Sequence, residues 1–392
     1  MDKKDGFLLN SYARFENSFD YGKGSKLYDH SGKEFIDFTS GIGVVSVGHG
    51  NRQLSEAISS QAEKLIHTSN LYNIEPQREL AKRIRDLAGF DLYSFFANSG
   101  TEANEGAIKI ARKYGQLKKR NRYKIITLKH SFHGRTLASL KATAQIDMHN
   151  SHFGPFPDGF VYAETLSEIP HLVDEYTAGV MIELVQGEGG VEALPVNQVQ
   201  SLAKELKEKD ILLMIDEVQT GVYRTGEFLA SNLYGIEPDI VTLAKGLGGG
   251  VPIGVVATKL HDIFQPGDHG STFGGNLLAT SSALKVLEIL NIEKKSGELN
   301  RKIALFDRKL EETIAKFPKV FTKSVGAGLM RGIGVVSSIA VADIVKEANR
   351  EGVLLVKAGR NRLRFLPPLT VTIEEIDKGF ERLHNALNNI TT

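Results

Sequence analysis

The stretch Ile211–Gly250, ILLMIDEVQTGVYRTGEFLASNLYGIEPDIVTLAKGLGGG, decides the reading of the fold. It holds two apolar runs, Ile211–Ile215 and Ile240–Leu243, and each run delivers a charged residue at its end, Asp216 and Lys245. Runs apolar on both faces, separated by amphipathic sequence, describe parallel strands covered by helices. Working outward, the same pattern recurs at Ser94–Ala97, Lys124–Leu128, Val180–Leu184 and Ile253–Ala257. The spacing predicts a large α/β domain over 71–298, with a mainly parallel sheet between helices. From Leu299 onward, long helical patterns surround short strands at Leu329–Val336, Val353–Val356 and Leu363–Leu366, which predicts a smaller α+β domain over 299–392. Residues 1–70 are expected to supply an arm and part of that smaller domain.

The chain has 392 residues, 48 Lys and Arg against 47 Asp and Glu, and a formal charge of +1. With 24% charged and 41% hydrophobic residues it has the balance of an ordinary globule, long enough to enclose a deep cleft. The absence of cysteine excludes disulfides, thiolate nucleophiles and cysteine-ligated metals, and fits a reducing compartment. The opening MDKKDGFLLN lacks the apolar core of a signal peptide, and no segment approaches the ~18 apolar residues that span a bilayer. A cytoplasmic protein with no membrane partner is expected. Lys113, Lys118, Lys119, Arg120, Arg122 and Lys124 form a basic run, but no aromatic residues are spaced through it to stack bases, so no nucleic-acid partner is expected. His149 and His152 have no carboxylate motif beside them and read as loop histidines, leaving no metal site. The glycine clusters match neither the dinucleotide fingerprint nor the nucleotide P-loop.

In sheets of this kind ligands bind beyond the carboxyl ends of strands. The first run ends in Asn98-Ser99-Gly100-Thr101-Glu102, a capping-box spacing followed by a helix start, which makes an anion cradle suited to phosphate. Asp216, after a buried strand, calls for a cation because an unanswered buried carboxylate is costly. Lys245, between an apolar strand and a glycine turn, must find a partner or lose its charge, and such a lysine is a Schiff-base nucleophile. Each feature alone has a plainer reading: a capped helix without ligand, a metal ligand or cap, a surface salt bridge. Together they supply an anchor for a phosphate, a counter-ion for a protonated pyridine and an amine for an aldehyde, which is what pyridoxal 5'-phosphate requires.

With these residues in place, the chain resembles the class III pyridoxal-phosphate aminotransferases over nearly its whole length. NSGTEANE (98–105), FHGRT (132–136), VQGEGG (185–190), DEVQTG (216–221), AKGLGGG (244–250) and STFGGN (271–276) carry the resemblance. It implies pyridoxal-phosphate fold type I and a homodimer with active sites at the subunit interface. By the same resemblance Gly100 and Thr101 hold the cofactor phosphate, joined by Thr272 from the neighbouring subunit. Phe132 stacks on the ring, Asp216 pairs with its nitrogen, Gln219 meets its hydroxyl, and Lys245 is the catalytic amine. Arg135 takes the donor's α-carboxylate, Arg364 takes the oxoacid's, and Glu188 covers Arg364 between times. Tyr12 and Ser271 match positions at the substrate end.

The activity implied is a ping-pong transfer of the side-chain amino group of N-acetylornithine to 2-oxoglutarate, a step of arginine biosynthesis. Alternatives are a donor such as succinylornithine, succinyl-diaminopimelate, ornithine or 4-aminobutyrate, or a non-catalytic binding protein on the same fold. Three departures bear on the donor: Val45 replaces a usual Asn, Tyr223 a usual Gly and Leu277 a usual Pro. The first two are expected near the substrate entrance.

Overall fold

The computed structural model describes residues 7–119 and 121–391. Its central element is a seven-stranded sheet in the order Tyr93–Ala97, Gly254–Thr258, Ile240–Leu243, Leu212–Asp216, Thr177–Ile182, Lys124–Leu128, Phe160–Ala163. Only Gly254–Thr258 runs against the others, antiparallel to both neighbours. The remaining pairs are parallel. Thr177–Ile182 and Leu212–Asp216 are buried at every position, as strands covered on both faces must be. The edge strand Phe160–Ala163 escapes a reading based on long apolar runs because it is four residues long and follows a proline-containing loop.

Two four-stranded sheets lie outside this one. Phe19–Lys23, Lys26–Asp29 and Glu34–Asp37 form an antiparallel meander joined in parallel by Val353–Leu354. The early strands therefore pair with a strand from the C-terminal region. Phe321–Ala327, Met330–Val335, Arg362–Phe365 and Val356–Ala358 make the other. The single strand expected at Val353–Val356 is thus divided between two sheets. Val353-Leu354-Leu355-Val356 is apolar throughout, so no change of period marks where the chain crosses over. Phe38, Phe306, Phe365 and Phe380 meet beneath these sheets at ring separations of 5.0 to 6.4 Å and anchor the strand carrying Arg364.

The basic run meets acidic side chains. Lys113 pairs with Asp268, Lys118 and Arg122 with Asp210, Lys119 with Glu175 and Lys124 with Asp174, while Arg120 lies outside the described residues. His149 Nε2 sits 2.7 Å from the Thr143 carbonyl and 2.9 Å from that of Leu140, inside its own loop. No helix among the described residues is long and apolar enough to cross a membrane.

Candidate active site

Because all but one strand run the same way, their carboxyl ends open on one edge. Onto it the chain delivers Asn98–Thr101, Ser131–Gly134, Glu183, Asp216 and Lys245, each from a different strand. They enclose a cavity of about 400 Å³ that Gly100, Thr101, Phe132, Arg135, Glu188, Asp216, Gln219 and Lys245 all line. Eight of the residues singled out in the sequence thus come together.

At one end, Ser99 caps the helix Gly100–Lys118 by accepting the Glu102 N–H at 3.3 Å. The Glu102 carboxylate answers by accepting from the Ser99 hydroxyl (3.0 Å) and the Asn98 N–H (2.8 Å). The Gly100 and Thr101 amides make no hydrogen bond among the described residues, leaving them and the positive end of a 19-residue helix for an anion. Thr101 Oγ1 is fixed 2.6 Å from Ser139 Oγ and accepts the Arg135 N–H at 3.0 Å. Gly134 makes this approach possible: at its φ of +139° a Cβ would stand 2.1 Å from Thr101 Oγ1.

At the other end Asp216, 4% exposed, accepts from His133 Nδ1 and Asn104 Nδ2, both at 2.8 Å, and from the Val218 N–H at 3.0 Å. Burial works to raise its pKa, but the imidazole and these donors outweigh burial and hold the carboxyl below its usual range. Lys245 stands on a tight turn with φ +45°. Its amine forms no hydrogen bond or ion pair among the described residues. Burial first, with the Arg364 charge in support, lowers its pKa against the opposing pull of Glu188 and Asp216. An amine with weakened basicity is what nucleophilic attack on a carbonyl requires.

Arg364 is 2% exposed on the strand Arg362–Phe365. Its Nη1 donates to Glu188 at 2.6 Å and to Gln219 Oε1 at 3.3 Å, while its buried Nε has no partner among the described residues. Burial would raise the Glu188 pKa, yet the guanidinium keeps it below the usual value. Arg135 is exposed, its guanidinium 5.4 Å from the Phe132 ring centre, and no carboxylate pairs with it among the described residues. Two planar cations with unused donors can each take a carboxylate.

Four singled-out residues do not line the cavity: Arg364 meets it through Glu188 and Gln219, and Ser271, Thr272 and Tyr12 stand apart. Ser271 Oγ accepts from Asn98 Nδ2 at 3.2 Å, one residue behind the wall, and with exposed Thr272 it lines a separate hollow. Tyr12 is exposed on the N-terminal arm, 5.6 Å from the Arg14 guanidinium. The expected place of Tyr223 is corrected. It is 3% exposed in the main core, edge-to-face with Phe228 at 5.7 Å, with its hydroxyl donating to Asn291 at 3.2 Å. The left-handed backbone at Val222 and Tyr223 turns the chain away from the entrance. Val44, with Val45 half-buried beside it, lines the cavity. Leu277 opens a helix capped by Asn276, a position where proline is favoured but not required.

The sequence reading passed over Asn104, the contact of His133 with Asp216, and Glu183. Asn104 lies one turn beyond Gly100 in the same motif, and Glu183 is a strand-end carboxylate like Asp216, so the signal was available.

The family model for class-III aminotransferases matches residues 11–387. An acetylornithine aminotransferase from Wolinella succinogenes is 54% identical over 392 residues, covering 100% of this chain and 99% of that one. Another, from Aquifex aeolicus, is 44% identical over 97% of this chain and all of its own. Among solved structures, the ornithine aminotransferase of Toxoplasma gondii ME49 superposes with a TM-score of 0.93 at 31% identity, covering 98% of this chain and 93% of that one. The N-acetylornithine aminotransferase of Stenotrophomonas maltophilia K279a gives 0.84 at 32%, covering 97% and 98%. With its motifs gathered round one cavity and these likenesses spanning its length, the chain belongs to the class-III aminotransferases.

Proposed function

We propose that the chain moves the side-chain amino group of N-acetylornithine to 2-oxoglutarate, giving N-acetylglutamate semialdehyde and glutamate. One observation carries the chemistry: a lysine amine of lowered basicity and an ionised carboxylate line one cavity with the Arg135 fork, and a second fork, Arg364, is bonded to the lining residues Glu188 and Gln219. Full-length identity of 54% to an acetylornithine aminotransferase supports the donor.

The residues fit pyridoxal 5'-phosphate. Gly100, Thr101 and, from the partner subunit, Thr272 would hold its phosphate; Asp216 would hold its ring nitrogen, Gln219 its hydroxyl, Phe132 one face and Lys245 its carbonyl carbon. When bound, the cofactor supplies an electron sink for the pair left as the substrate C–H bond breaks. Lys245 Nζ would take the proton from the donor carbon and return it, as general base and acid. Asp216, held ionised by the His133 and Asn104 donors, would keep the ring nitrogen protonated. Arg135 orients the donor by its α-carboxylate. Glu188 neutralises Arg364 until the oxoacid carboxylate replaces it, so one pocket accepts two substrates in turn. The exposure of Thr272 and of the large apolar side chains Leu71, Tyr72 and Phe273 supports a homodimer that completes the site. The cysteine-free composition supports a cytoplasmic location.

The test is a comparison of kcat/KM across N-acetylornithine, succinylornithine, succinyl-diaminopimelate, ornithine and 4-aminobutyrate. A preference for either of the last two overturns the assignment.

A further inference from the structure

The strand Thr177–Ile182 ends on a carboxylate to which the steps above give no task. Glu183 is 6% exposed and lines the cavity. Its two oxygens are both engaged with backbone: Oε1 accepts the Phe132 N–H at 2.9 Å and Oε2 the Gly187 N–H at 3.2 Å. Phe132 faces the cavity, and Gly187 immediately precedes Glu188, which pairs with Arg364 at 2.6 Å. A Cβ on Gly187 would stand 2.2 Å from Gln219 Oε1, the atom that receives the second bond from Arg364. One buried side chain therefore ties the cofactor side of the cavity to the counter-ion of a substrate arginine. A carboxyl group can accept both N–H groups through its two oxygens, best when ionised; an amide would set its own NH₂ against one of them. The titratable groups facing it are His133, Asp216 and Lys245.

We propose that Glu183 is a positioning residue for substrate exchange: by holding the Gly187 amide it keeps Glu188 seated on Arg364, so that the donor binds with Arg364 covered and the oxoacid must displace a fixed counter-ion. The inference rests on the division of labour assigned above to Arg364 and Glu188.

The test uses the pyridoxal-phosphate-loaded enzyme and glutarate, a dicarboxylate with no reactive carbonyl. Glu183→Gln loses one of the two tethers. Glutarate binding, read by calorimetry, is expected to tighten about tenfold, the worth of one hydrogen bond to a charged group. The ratio of kcat/KM for the donor to that for 2-oxoglutarate is expected to fall by a similar factor. Glu188→Gln should shift both readouts the same way, and adding Glu183→Gln to it should change them less than about twofold, because the first residue acts through the second. If Glu183→Gln does not fold, Glu183→Asp, too short to reach both amides, is expected to give the same shifts. Equal losses for both substrates with unchanged glutarate binding, or full additivity of the pair, overturns the proposal. Absence of amino transfer by the wild type would instead refute the assigned function, while glutarate binding would still decide the role of Glu183.

Discussion

Replacing Arg364 by Lys keeps the charge and removes the fork. In the structure one guanidinium nitrogen already serves Glu188 and Gln219, whereas the buried Nε has no partner among the described residues. On the proposed role of Arg364, that unused donor would give an arriving carboxylate a second, parallel hydrogen bond. Lysine offers a point charge on a flexible stem and cannot supply both bonds in fixed geometry. Loss of one charge-assisted bond is worth about 1.5–3 kcal/mol, so the oxoacid half-reaction should lose roughly 10- to 150-fold in kcat/KM. The donor half-reaction, which the proposal assigns to Arg135, should change by less than about threefold on the same reasoning. Rapid mixing separates the two: donor is added to the pyridoxal form, or 2-oxoglutarate to the pyridoxamine form, and the cofactor absorbance is followed in each. Equal losses in both half-reactions, or an oxoacid half-reaction untouched by the change, would refute the assignment of Arg364.

Burial raises the Glu183 carboxyl to about 7, against 4.5 for an ordinary glutamate. Between those values the folded chain holds a proton that the unfolded chain releases, so this contribution is full at acid pH and is lost as pH rises through about 7. It is worth roughly 3 kcal/mol, and urea unfolding of the cofactor-free protein should show Glu183→Gln gaining on the wild type by that order between pH 4.5 and 8; parallel pH curves would contradict it. Gly134→Ala puts a Cβ 2.1 Å from Thr101 Oγ1 and 2.4 Å from Ser139 Oγ. Strain of about 1–3 kcal/mol should weaken pyridoxal-phosphate affinity roughly 5- to 150-fold in equilibrium dialysis, and unchanged affinity would show that Thr101 does not hold the phosphate. Mixing Lys245→Ala with Thr272→Arg protomers, each inactive alone, should restore about a quarter of the activity, because a mixed dimer rebuilds one intact site; no recovery would place Thr272 outside its partner's site.

The strand ends were legible because buried parallel strands must be continuously apolar, so Asp216 and Lys245 stand out at the close of their runs. The capping spacing Ser99–Glu102 likewise forecast a helix start, since the bonds that cap a helix are local in sequence. Tyr223 shows where such reading stops. Its neighbours place it four residues beyond cavity-lining Gln219, but its side chain lies in the core, on left-handed backbone. Glu183 looked like an ordinary strand-end residue because one of its two hydrogen-bond donors, the Phe132 N–H, lies 51 positions away in the chain.

By itself, then, the sequence determined most of the element types, the mainly parallel sheet and the strand-end placing of Asp216 and Lys245, because periodicity, capping and strand-end charge are properties of short segments. Only the tertiary structure decided which of those residues share a cavity, that Arg364 keeps one donor unused, and that Tyr12, Ser271 and Thr272 stand outside the single chain's cavity. Those facts depend on desolvation and on bonds between segments far apart in the chain, such as Glu188 with Arg364 across 176 positions, and no local pattern encodes them.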